Sequence, residues 1–153
     1  LEERLIGFAV RVIRLVDTFE SSRGGAAIGN QLVRSGTSPA LNHGEVQAAE
    51  SRADFIHKIR ICLKELRESR RALRIAAQVP LTAEAGELSS LIDESEQLIR
   101  IFVQSVRTAQ TNGVENSARV RETGDVMADD WTLDVERWTL DVFASSSKTG
   151  EAL

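Results

Sequence analysis

The sequence predicts an all-α protein: an antiparallel up-down-up-down four-helix bundle with a flexible C-terminal tail. Three observations lead there. Apolar residues recur at alternating three- and four-residue steps through several long stretches, the spacing of one helix face. Short clusters of Gly, Ser and Pro separate those stretches. Aromatic residues make up only 5% of the 153 residues and there are two prolines, while Ala, Leu, Glu and Arg are abundant, a mixture that suits helices rather than a β-sandwich.

The first helix is expected over about 1–22. Leu1, Leu5, Phe8, Val12, Leu15 and Phe19 form its stripe, and Ile6, Ala9, Ile13 and Val16 widen it. A stripe that wide calls for partners on more than one side. The run Ser21-Ser22-Arg23-Gly24-Gly25 ends it. The third helix is expected over 52–79, on Phe55, Ile59, Cys62, Leu66, Leu73 and Ala76, with Ile56 and Leu63 beside them. Ser51 followed by Asp54 has the form of a capping box, and Pro80 stops the helix because it has no N–H to give. The fourth is expected over 83–109, on Leu88, Leu91, Leu98, Phe102 and Val106, with Thr82 as its cap and Asn112-Gly113 as its stop.

The second helix is the least regular, at about 25–48. Ile28, Leu32, Leu41 and Val46 mark its apolar side, and Pro39 predicts a bend or a break into two shorter helices. Gly29 and Gly36 lower helix propensity, so they suggest close approach of a neighbouring backbone. Within "RSGTSPALNHGEV", Ser35, Ser38 and Asn42 share a face. The spacing leaves three readings open for the polar residues of this stretch, Arg34, Ser35, Ser38, Asn42 and Glu45: a loop, an active site, or a polar seam inside a helix.

The bundle occupies residues 1–110. Residues 111–153 differ in kind. "TNGVENSARVRETGDVMADD" is polar and aperiodic, as a linker or disordered segment is. "WTLDVERWTLDVFA" then repeats Trp-Thr-Leu-Asp-Val from Trp131 and from Trp138, a read-through repeat or a peptide able to add to a partner's sheet. The net charge of −4 belongs to the tail. Residues 1–110 carry 15 basic and 14 acidic residues, whereas 111–153 carry 4 and 9.

Lone Cys62 excludes an internal disulfide and reads as a small core residue. No secretory leader or membrane-length apolar run is visible, and a cytoplasmic location is expected. Asp54-x-x-His57 with His43 and Glu45 supplies too few ligands for a di-metal bundle, and both histidines read as surface residues. No catalytic motif, metal site or cofactor site is expected, and the chain reads as a binding protein rather than an enzyme.

Arg34, Ser35, Thr37, Ser38, Asn42, Glu45, Ser51, Asp54, Phe55, Lys64 and Glu65 together form a recognisable pattern. Over residues 1 to about 110 the chain resembles the four-helix-bundle proteins encoded by intervening sequences in bacterial 23S ribosomal RNA genes. It is also similar to the related accessory variability determinant of diversity-generating retroelements. Pro39 departs from the family pattern, where the residue is helix-compatible. The resemblance implies that the polar stretch is a seam between helices and not an active-site loop. It also implies a homo-oligomer, a pentameric ring of bundles, and a link to RNA or to a reverse transcriptase.

The candidate nucleic-acid surface is the run Lys58, Arg60, Lys64, Arg67, Arg70, Arg71 and Arg74. Arg60, Lys64, Arg67, Arg71 and Arg74 form one helical stripe, which would attract phosphates. The plainer reading is a solvated face partly neutralised by Glu65 and Glu68. A third reading is a pure assembly module whose tail recruits another protein.

Overall fold

The computed structural model describes residues 1–79 and 81–123, with side chains as far as 111. Four helices follow in order: α1 (Glu2–Val16), α2 (Arg23–Gln47), α3 (Arg52–Gln78) and α4 (Ala85–Thr123). The bundle closes as a ring in which α2 packs on α1 and α3, and α4 packs on α3. The α1–α4 seam is the thinnest of the four. Cross-links show the antiparallel course. Arg4 reaches Glu94 while Arg11 reaches Glu87, so α1 and α4 run in opposite directions.

The predicted stripes form the core, except that Leu41, expected on the apolar side of α2, is 78% exposed. Leu5, Phe8, Val12 and Leu15 of α1 meet Leu32 and Val46 of α2, Phe55, Ile59, Cys62, Leu66 and Leu73 of α3, and Leu91, Leu98 and Phe102 of α4. Burial of side chains this size stabilises by about 1.5–3 kcal/mol each before conformational entropy is counted. Gly29 and Gly36 do mark close packing, but against side chains of the α1 region rather than a neighbouring backbone. A Cβ on Gly29 would lie 2.9 Å from Val16 Cγ1, and one on Gly36 would lie 2.8 Å from Val12 Cγ1. Cys62 is fully buried, and burial pushes its thiol up to about 11.

Helix α1 is shorter than its apolar pattern suggests. It ends at Val16, after which Thr18 and Phe19 N–H groups bond to Leu15 and Val16 carbonyls in a tight turn. This turn is tied across the end of the bundle. Glu20 N–H donates to Leu81 O at 2.8 Å, and the Thr18 and Thr82 hydroxyls lie 2.7 Å apart. Ser22 caps α2 through Gly25 N–H. Pro39 does not break α2, which runs unbroken through it with the ring buried. The proline forgoes a single backbone bond while its ring replaces an apolar side chain in the core.

Helix α4 departs most from expectation. It begins at Ala85, so Thr82 is not its cap; the Thr82 hydroxyl accepts from Glu84 N–H just before the helix. At the far end α4 continues through Asn112-Gly113 to Thr123. A single glycine costs only about 1 kcal/mol in a helix interior, too little to end one against neighbouring residues that favour helix. The Trp-Thr-Leu-Asp-Val repeat lies outside the described residues.

Candidate nucleic-acid interface

The basic run of α3 is positioned from its first turn. Ser51 Oγ accepts from Asp54 N–H at 3.2 Å, as the capping pattern predicts. Asp54 Oδ2 accepts from Glu50 N–H at 3.1 Å and lies 2.8 Å from Lys58 Nζ. Lys58 and the Glu50 N–H hold the Asp54 carboxyl below its usual range. Lys58 is thus committed to the helix start. Arg70 is committed too, 3.2 Å from Glu96 of α4. These two of the seven candidates are structural ties.

The other five stay on the surface. Arg60, Lys64, Arg67 and Arg71 line a groove of about 640 Å³ between α3 and α4, and Arg74 extends the stripe one turn beyond it. Arg107 of α4 completes the basic lining, with Leu63, Val103 and Val106 as an apolar floor and Gln110 at one end. The sequence pattern does not single out Arg107. Its signal there is weak but real: in an antiparallel α3–α4 pair, late α4 must face early α3. None of the five cations of the groove makes an ion pair among the described residues, and no carboxylate lines it.

The acidic residues expected to neutralise this stripe turn the other way. Glu68 takes hydrogen bonds from Gln31 and, at 3.1 Å, from Arg34, both on α2. Glu65 is buried at 7% exposure, with Arg34 4.0 Å from its Oε2. Both carboxylates serve the α2–α3 seam and leave the α3–α4 face cationic. Arg34 reaches across this seam to both carboxylates.

Ser35 is the seam's buried member. The Ser35 hydroxyl donates to Gln31 O one turn back, and the Ser69 hydroxyl has two acceptors within 3.0 Å for its one proton, Ser35 Oγ and Glu65 O. Ser38 and Asn42 bond to each other at 2.9 Å and are half-buried. Glu45 is exposed, so it is not part of a buried seam. One turn C-terminal of Pro39, His43 is buried at 5% exposure rather than lying on the surface. Its Nδ1 has no hydrogen-bond partner among the described residues, and burial holds its pKa below the usual value. His57 is exposed. Among the described residues, no group of three or more His, Cys, Asp and Glu side chains could hold a metal ion.

Comparison with known proteins places this bundle. A protein of unknown function from the S23 ribosomal protein family of Bacteroides thetaiotaomicron, seen in a 1.70 Å crystal structure, is 29% identical, with a TM-score of 0.61. The alignment covers 69% of this chain and 96% of that one. No curated protein matches the chain. The family description "23S rRNA-intervening sequence protein" matches residues 3–104, which span α1 to α3 and more than half of α4. That match takes in well over half of the chain, and the chain belongs to the 23S rRNA-intervening sequence protein family.

Proposed function

We propose that this protein is a non-enzymatic, oligomeric helical scaffold whose α3–α4 groove binds the phosphate backbone of nucleic acid. One observation carries the reading: five cations, Arg60, Lys64, Arg67, Arg71 and Arg107, converge on one groove with no acidic residue among them. Along α3 they span roughly 16 Å at 1.5 Å per residue, enough for a short run of phosphates. No aromatic side chain lines the groove, so base stacking has no platform there. Binding should therefore be sequence-tolerant and strongly weakened by salt. A nucleic-acid enzyme such as a reverse transcriptase could present the strand to this surface.

The oligomer finds support on α1. Ile6, Val10 and Ile13 of α1 recur at four- and three-residue steps and are 41%, 39% and 41% exposed. They form an apolar outer stripe of the kind a neighbouring copy covers. The same stripe favours the second reading, an assembly module with no nucleic-acid role. Among the described residues no helix is long and apolar enough to cross a membrane.

Fluorescence anisotropy of a labelled RNA oligonucleotide across a salt series separates the two readings. We expect binding that falls steeply with salt. Arg67→Ala with Arg71→Ala should weaken it. For a single strand, the salt slope should fall by about 0.7 for each phosphate that is no longer neutralised. Absent or salt-independent binding would leave only the assembly role.

A further inference from the structure

The groove has a second feature that a pure phosphate surface does not need. Its cationic rim stands over Leu63, Val103 and Val106, an apolar floor running between the two helices. A ligand that satisfies both carries apolar groups and anionic groups in close alternation. The chain contains such a segment. Between 124 and 143 lie six acidic residues and one basic residue. Asp129, Asp130, Asp134, Glu136 and Asp141 interleave with Trp131, Leu133, Val135, Trp138, Leu140 and Val142.

We propose that the α3–α4 groove is the docking site of the chain's own segment 129–142, carboxylates to the basic rim and apolar side chains to the floor. The proposal rests on the reading of the groove as an anion-binding surface, and adds an occupant that competes with nucleic acid for it. Charge complementarity supports it, since the excess negative charge of the whole chain is concentrated in 111–153 while the groove is purely cationic. Reach supports it as well. From Gln110 to Thr123, α4 rises about 20 Å beyond the groove. The residues between Thr123 and Trp131 span about 25 Å when extended, enough to return Trp131 to the Gln110 end. The consequence is an autoinhibited scaffold: a polyanion must displace the acidic segment before it can occupy Arg60, Lys64, Arg67, Arg71 and Arg107.

The tryptophan content makes the test direct. Trp131 and Trp138 are the only tryptophans and there is no tyrosine, so intrinsic fluorescence reports on this segment alone. In the full chain at low salt, without nucleic acid, we expect blue-shifted emission and weak acrylamide quenching. Arg67→Glu with Arg71→Glu should shift emission to the red and raise quenching. Adding Asp134→Lys and Asp141→Lys to that variant should restore the original spectrum. If charge reversal prevents folding, salt titration of the unaltered chain reads the same contact, because a Debye length of about 3 Å at 1 M screens the rim. Red, readily quenched emission from the unaltered chain at low salt would overturn the proposal, as would emission indifferent to both charge reversal and salt. Added RNA oligonucleotide should displace the segment and redden the emission. A groove-dependent spectrum with no RNA binding would sink the nucleic-acid reading alone. RNA binding with red emission throughout would sink the docked segment alone.

Discussion

At Gly36 the fold has no room for a methyl group, because a Cβ there would press on three atoms of Val12 between 2.8 and 3.3 Å away. Gly36→Ala should therefore destabilise the protein by about 1–3 kcal/mol despite the better helix propensity of alanine. Gly44, on the same helix with open space around it, gives the matched control: Gly44→Ala should stabilise by up to about 1 kcal/mol. Urea unfolding of the two variants should give opposite signs, and Val12→Ala should couple favourably with Gly36→Ala in a double-mutant cycle. His43 couples stability to pH. Its folded pKa is lowered by burial, so the native state holds it neutral while the unfolded chain takes up a proton more readily. Its contribution is fully present above the ordinary histidine pKa and is lost as pH falls from there toward the lowered folded value. Unfolding followed between pH 7.5 and about 5 should show stability falling with acid, and His43→Gln should flatten that slope. Neither fact about His43 is legible in the sequence. The polar company of Asn42 and Glu45 is visible there, but not that position 43 faces inward beside the apolar side of α2.

Among the helices, α3 is the most legible in the sequence. Its stripe, its Ser51 cap and its stop near Pro80 are all local signals, and each stands where the spacing puts it. Ser51→Ala should cost about 1 kcal/mol by leaving the Asp54 N–H without its side-chain acceptor, measurable as a lower Tm. What the spacing of α3 cannot show is which of its cations remain free. Lys58, Arg70 and the five others look alike in one helix. Only the neighbours distinguish them, Asp54 and Glu96 taking two, and α2 drawing Glu65 and Glu68 away from the rest. Arg107 escapes the sequence pattern for the same reason, because the register of α4 against α3 is a tertiary fact. The length of α4 escapes it because Asn112-Gly113 is a stop signal only where the chain has nothing to gain by continuing.

For the whole molecule, the outer stripe of α1 makes a prediction about assembly. Val10 and Ile13 lie outside the buried core of their own bundle. Val10→Lys with Ile13→Lys should lower the mass in light scattering toward that of one chain while leaving the unfolding transition of the bundle in place. The thin α1–α4 seam bears on how the molecule comes apart. Two arginine forks cross it: Arg4 to Glu94 and Gln97, and Arg11 to Glu87 and Ser90. These join residues far apart in the chain, whereas α1–α2, α2–α3 and α3–α4 are hairpins between neighbours in sequence. Hairpins close quickly and long loops close late, so the α1–α4 seam should form after the folding barrier and open before it. Arg4→Ala and Arg11→Ala should then speed unfolding while scarcely slowing refolding, and added salt should act on the same limb of the chevron. The lifetime of the native state, rather than how fast it is reached, is what those two arginines set.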